Sequence, residues 1–186
     1  MSPPEPKLHI SCAVNGDTMT LNYAIENTTS DPVLIFDRLY DRKRQTIDLH
    51  GAYLDIIEHC ALFKRAMEIL PFGLHVENPH VPYARELVPG ATARGSITAS
   101  LPLLEHAPYD YIIKRGWTQH EVGIQSVSLL LGWCVRPTLL PPISSPSIIE
   151  GEELMFLPYG LVKQKQQALS SASCSVHVSG VDFIAQ

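Results

Sequence analysis

Eight histidines and four cysteines carry the widest chemistry in this chain, since imidazole and thiolate groups ligate metals, move protons and attack electrophilic carbon. Their spacing narrows that range. His9, His50, His59, His75, His80, His106, His120 and His177 form no HExxH or HxH pattern. Cys12, Cys60, Cys134 and Cys174 lie too far apart for a zinc ribbon or a redox CxxC pair. The best metal candidate is His75 with His80 and Glu77, but two histidines at that separation in an extended segment fall on opposite faces. His59-Cys60 would set a base beside a nucleophile, yet such a pair needs a third group to orient it. Gly-x-Ser-x-Gly, P-loop and dinucleotide-binding glycine patterns do not occur, so the glycines read as turn residues. The expectation is a protein with no catalytic residues, no cofactor and no metal.

The elements that would position any site read as strands. After the Pro89-Gly90 turn, Ala93, Ile97, Ala99 and Leu101 alternate with Arg94, Ser96, Thr98 and Ser100, a period of two that puts one face on a core and one in water. Leu8 to Val14 and Thr18 to Asn27 flank Asn15-Gly16-Asp17 and read as a hairpin, with Met19, Leu21, Tyr23 and Ile25 on one face. Val33 to Tyr40 is a third strand. Val122 to Val135 is the most apolar one, with Val127, Leu129, Leu131, Trp133 and Val135 inward and Cys134 opposed to them. Cys174 to Ile184 closes the chain, and Gly180 is expected to bulge it so that Val181 and Phe183 take the inner face. Residues 52–70 fit either an amphipathic helix, through Tyr53, Ile56, Cys60, Phe63, Met67 and Leu70, or a hairpin turning at His59-Cys60-Ala61. The all-β surroundings favour the hairpin. Pro71 to Pro89, with four prolines, reads as an extended connection, and Glu105 to Gly116 as an irregular one.

Composition bounds the rest. At 186 residues and 45% hydrophobic content the chain suits one domain spanning 1–186, with a Pro-rich lead-in at 1–7. A net charge of −5 without a charge run excludes a nucleic-acid footprint. The mixed cluster from Asp37 to Arg44 reads as a solvated turn. Prolines and charges interrupt every apolar run short of the roughly 18 residues of a membrane span. Met1 to Lys7 has no apolar leader, so the sequence as it stands reads as cytoplasmic, or periplasmic if a leader has been removed. Cys12 and Cys174 both point inward on the first and last strands, so a disulfide between them is conceivable, although buried free thiols are the favoured state. Asn27-Thr28-Thr29 matches a glycosylation acceptor and reads as turn chemistry.

Residues 136–173 form a long Pro-rich insertion with an unusual supply of exposed-looking apolar side chains. One reading makes Ile148 to Leu157 a further edge strand. The other makes the segment a flap that binds a partner, with Leu139, Leu140, Ile143, Leu154, Phe156 and Tyr159 as the contact residues.

Asn27-x-Thr29 closing the second strand, Asp31-Pro32-Val33 opening the third and Leu87-Val88-Pro89-Gly90 before an alternating strand resemble bacterial immunoglobulin-like sandwich modules over Leu8 to Leu103. The intracellular proteinase inhibitor type shares that layout, although no segment here reads as a reactive loop. The resemblance implies an antiparallel immunoglobulin-like β-sandwich with Greek-key crossings, a binding role and no cofactor. The resulting expectation is a non-enzymatic module that binds another protein through a sheet edge or the flap 139–159. The alternative is a small-molecule-binding or hydrolase-like domain, with a pocket between the sheets edged by Trp117, His120 and Tyr159.

Overall fold

Alternating β-branched and aromatic residues set the architecture of the computed structural model, which describes residues 4–41, 46–70, 73, 76, 79–110, 114, 116–141, 144–149 and 151–184. Strands dominate, and the all-β class expected from the sequence is what the described residues show. They are β1 (Lys7–Asn15), β2 (Thr18–Glu26), β3 (Val33–Asp41), β4 (Thr46–Asp48), β5 (Tyr53–Ile57), β6 (Cys60–Arg65) and β7 (Tyr83–Leu87) in the first half. The second half holds β8 (Thr92–Ser100), β9 (Leu103–Leu104), β10 (Thr118–Val135), β11 (Ser147–Ile149), β12 (Glu152–Leu154), the helix α1 (Tyr159–Lys165), β13 (Gln167–Ser170) and β14 (Cys174–Ile184).

β1, β2 and β8 form a three-stranded antiparallel sheet, its first hairpin closed by Gly16 at a φ of +56°. A nine-stranded sheet is organised on β10. One edge of β10 pairs with β14 and then β13; the other pairs with β6 and then β3. The β6–β10 and β9–β14 pairs are parallel, a departure from a purely antiparallel sheet. Both parallel partners are separated from their neighbours by long stretches of chain, so no tight turn dictates their direction.

Residues from both sheets share one core, in which Met19, Leu21, Ile25, Ile35, Phe63, Ile97, Leu129, Leu131 and Trp133 are buried. A second core lies against the opposite side of β3 and β10 and contains Leu34, Phe36, Cys134, Met155, Leu157 and Val162. β3 is thus buried on both faces, which explains why Val33-Leu34-Ile35-Phe36 is a continuous apolar run instead of an alternation.

Several expectations need correction. Residues 52–70 hold the β5–β6 hairpin, but it turns at Glu58, with a φ of +55°, one residue before the expected turn. The Pro71–Pro89 connection contains a strand, β7, since Pro82 precedes it and Pro89 follows it, leaving its ladder with β3 free of proline. The ladder runs through Gly180 without a shift; the irregularity falls between its pairings at Ile124 and Ser126. Gly180 has a packing reason instead, because a Cβ there would come within 3.0 Å of Ile124 and Ile56. Val135, expected inward, ends β10 at 45% exposure.

Cys12 and Cys174 are joined in a disulfide, overturning the favoured free thiols. The first and last strands belong to different sheets, yet their inward parity brings the two Cα atoms to 6.5 Å. In the chain-entropy account, closing a loop of 162 residues' separation stabilises the fold by about 5 kcal/mol. Cys60 and Cys134 are free.

Candidate functional site

A bulge in β3 begins the construction of the site. The β3–β7 register shifts between Ile35 and Arg38, and the extra residue lets the adjacent side chains of Asp37 and Arg38 reach the same phenol, Tyr23 of β2. Tyr23 donates its hydroxyl proton to Asp37 Oδ2 at 2.7 Å, and Arg38 Nη1 lies 3.4 Å from the same phenol oxygen. Arg85 of β7 donates to both carboxylate oxygens of Asp37. Arg65 of β6, fully buried, donates to Tyr23 at 2.8 Å and to the carbonyls of Gly51, Leu49 and Ser96 at 2.7 to 2.9 Å. Glu152 of β12 completes the cluster by accepting two hydrogen bonds from Arg38.

The charge is therefore buried but paired, which is the condition for tolerating it. Burial alone would raise the Asp37 carboxyl, but the guanidiniums of Arg85 and Arg38 outweigh it and hold the group below the usual carboxylate range. Arg38's hydrogen bonds do the same for Glu152. Burial and the Asp37 charge push the Tyr23 phenol up. Asp37 and Arg38 are thus interior members of a network, not a solvated turn; residues 42–45 of that cluster lie outside the described residues.

Residues next to this network along β3 and β7, together with parts of β5 and the insertion, form a cleft. Leu39 and Tyr40 of β3, Tyr53 of β5, Pro79 to Tyr83 leading into β7, and Phe156 and Tyr159 of the insertion line a cavity of about 610 Å³. The Tyr40 and Tyr83 ring centroids are 6.2 Å apart, and those of Tyr83 and Phe156 5.8 Å apart, all with tilted planes. Neither the Tyr40 nor the Tyr83 hydroxyl has a hydrogen-bond partner among the described residues. Tyr159 accepts from the Leu70 N–H at 3.4 Å, and its ring faces the Lys163 ammonium at 6.0 Å. His80 stacks edge-on against Tyr109, whose hydroxyl accepts the His80 backbone N–H.

Of the flap residues expected to meet a partner, the structure brings together Phe156 and Tyr159, both half-buried in the cleft. Leu154 is buried, Leu140 packs on the second core and Leu139 is 88% exposed. Ile143 lies outside the described residues. The exposed-looking Met155 and Leu157 are core residues, because the segment folds into the β11–β12 hairpin and α1 and lies on the outer side of β3 and β10. The hairpin's continuation reaches β7 through a bridge between Ala84 and Met155.

The cavity also differs from the expected pocket between the sheets. None of its lining residues belongs to the core shared by the sheets, and Trp117 and His120 do not line it. Tyr40, Tyr53, Tyr83 and the Pro79–Pro82 wall were missed in the sequence, where only the aromatic ends of successive strands hinted at them.

Among the described residues no cluster of three His, Cys, Asp or Glu side chains is placed to hold a metal. His75 and Glu77 lie outside them. His59 Nδ1 sits 2.9 Å from the Gly123 carbonyl and Cys60 Sγ 3.7 Å from Ser128 Oγ, so each half of the imagined nucleophile pair has a separate partner. The Asn27 amide is buried, donating to the Asp31 and Leu87 carbonyls and accepting from Thr29, which makes its sequon turn chemistry, as expected. No described helix is long and apolar enough to cross a membrane. In comparison with known proteins, no family model, curated protein or solved structure matches the chain.

Proposed function

We propose that this protein is a non-enzymatic binding module that takes an extended segment of another protein in the aromatic cleft. The observation that carries the reading is the Tyr40–Tyr83–Phe156 row lining a cavity of about 610 Å³. Tyrosines offer large rigid surfaces with a polar tip, and interfaces concentrate their binding energy on such side chains. The proposal takes the two sheets sharing the first core as an immunoglobulin-like sandwich with Greek-key crossings, and 136–173 as an insertion that builds one cleft wall. It also places the protein in an oxidising compartment such as the periplasm in preference to the cytoplasm, with the Cys12–Cys174 bond in support.

The second reading is a small-molecule carrier. The cavity volume favours it, falling within the roughly 300 to 1,000 Å³ of ligand pockets.

Selection of displayed random peptides on the full chain tests the proposal, with Phe156→Ala as counter-selection. Peptides retained by the wild type and lost on the variant are the expected result. A wild type that enriches no peptide, or only peptides that bind the variant equally, overturns it.

A further inference from the structure

The three-stranded sheet is finished differently at its two margins, β8 and β1. At β8 the Thr98 N–H donates to the His50 carbonyl at 3.0 Å, and the Ser96 carbonyl accepts from Arg65 at 2.9 Å. The Ser96 hydroxyl lies 3.0 Å from His50 Nδ1, so the segment leading into β5 closes this side. At β1 none of the nine residues is buried, although Leu8, Ile10 and Cys12 pack on the shared core. Their neighbours on β2, Met19, Leu21, Tyr23 and Ile25, are 0 to 3% exposed. The core is thus left half-covered along β1.

Proteins keep open sheet margins from pairing with short strands, bulges, prolines or inward-pointing charges. β1 is nine residues long, keeps an unbroken register with β2, contains no proline and points only apolar residues inward. Its one lysine, Lys7, stands at the end of the strand. The direction of its backbone groups follows from the hairpin. A two-residue loop, Gly16-Asp17, makes Asn15 and Thr18 a hydrogen-bonded pair. By alternation Lys7, His9, Ser11 and Ala13 also turn their N–H and C=O groups to β2, and Leu8, Ile10, Cys12 and Val14 turn theirs to the open margin.

We propose that two copies of this chain associate through β1, each margin pairing antiparallel with the other to make one six-stranded sheet. With Ser11 opposite its own counterpart on the two-fold axis, the whole of Lys7–Asn15 is paired. Leu8 of each copy faces Val14 of the other, and Ile10 faces Cys12, so apolar meets apolar and Val14, 47% exposed, is covered. On the outer face Lys7 meets Asn15 and His9 meets Ala13, so no like charges oppose each other. A slide of two residues either way leaves Leu8 or Val14 without an opposite number. Four margin residues per copy, each with one donor and one acceptor, give about eight hydrogen bonds across the axis. This contact is separate from the aromatic cleft and does not depend on what the cleft binds.

Sedimentation equilibrium of the full chain from about 1 to 500 µM tests the proposal, with Cys60 alkylated beforehand so that no intermolecular disulfide contributes. The expected result is a mass that doubles as concentration rises, in the weak range of a small contact. Ser11→Lys, at an exposed position, sets two ammonium groups directly opposite each other and should weaken the dimer at least about tenfold. Ser11→Glu should do the same, and an equimolar mixture of the two should restore dimers because Lys then faces Glu. Thr98→Lys, on the outer face of β8, should leave the dimer unchanged. Amide hydrogen exchange on the wild type needs no variant: the N–H groups of Leu8, Ile10, Cys12 and Val14 should gain protection with concentration. A wild type that stays monomeric throughout, or whose β1 amides exchange at the same rate at every concentration, overturns the proposal. A dimer that survives Ser11→Lys, or a Lys–Glu mixture that remains monomeric, overturns it as well.

Discussion

Arg38 and Glu152, 114 residues apart, meet through two hydrogen bonds of 2.5 and 2.8 Å, Nε to Oε2 and Nη2 to Oε1. This fork joins a central strand to the insertion hairpin that leads into Phe156 and Tyr159, so the buried network and the cleft wall are mechanically one unit. Glu152→Gln removes the ionic part and should destabilise the fold by about 1 to 2 kcal/mol, moderated by the partial exposure of Glu152 and by the Asp37 carboxylate that still faces Arg38. Urea unfolding of the two proteins measures the difference. An unchanged midpoint would show that the fork does not hold the hairpin.

Gly95 lies opposite Tyr23 in the β2–β8 ladder, where an added Cβ would fall 2.2 Å from the phenol oxygen. Gly95→Ala must therefore push Tyr23 off Asp37 and Arg65. Overpacking and a disturbed buried network together should lower stability by about 2 to 3 kcal/mol. Gly123→Ala, where nothing lies within 4 Å, is the control and should come close to wild type. Equal thermal midpoints for the two variants would sink the argument.

The network also fixes a pH dependence. Asp37 and Glu152 have folded-state pKa values below their ordinary ones, so their contribution is complete above the unfolded values of roughly 4 and is lost as pH falls through the folded ones. The Tyr23 phenol is raised, so its contribution is complete below about 10 and is lost as pH rises through the folded value. Stability measured by chemical denaturation should be level near neutrality and fall at both extremes. In Glu152→Gln the acid limb should shrink; an acid limb identical to wild type would contradict the assignment.

The two free thiols should differ in reactivity. Burial pushes the Cys134 thiol up to about 11, whereas Cys60 is only partly covered. Thiolate is the reactive form, so iodoacetamide at pH 8 should add one label to the folded protein, at Cys60, and a second only after unfolding. Intact-mass spectrometry counts them. Rapid double labelling of native protein would mean that Cys134 is accessible.

What the sequence revealed depended on how far apart the interacting parts lie. β2, β8, most of β10 and the bounds of β14 were readable because burial of one face imposes alternation on the strand itself. The Cys134 face was readable for the same reason. β7 was hidden because its pairing with β3, not its own proline-bordered sequence, makes it a strand. The burial of Asp37 and Arg38 needed Arg85 and Glu152 from distant segments, and a mixed-charge stretch alone looks the same as a surface turn. The cleft was the least legible feature, since its walls come from four separate stretches of chain and each tyrosine in isolation reads as an ordinary strand residue.

The Cys12–Cys174 bond has one more consequence, for the chain as a closed hoop. Every described loop from the Asn15 hairpin to Ser171 lies on that hoop, so one proteolytic nick in any of them opens it without releasing a fragment. The exposed stretch around Leu139 can thus be cut while both ends stay tethered through the first and last strands. On a non-reducing gel such a nicked protein migrates as one molecule, and only a reductant separates it into two.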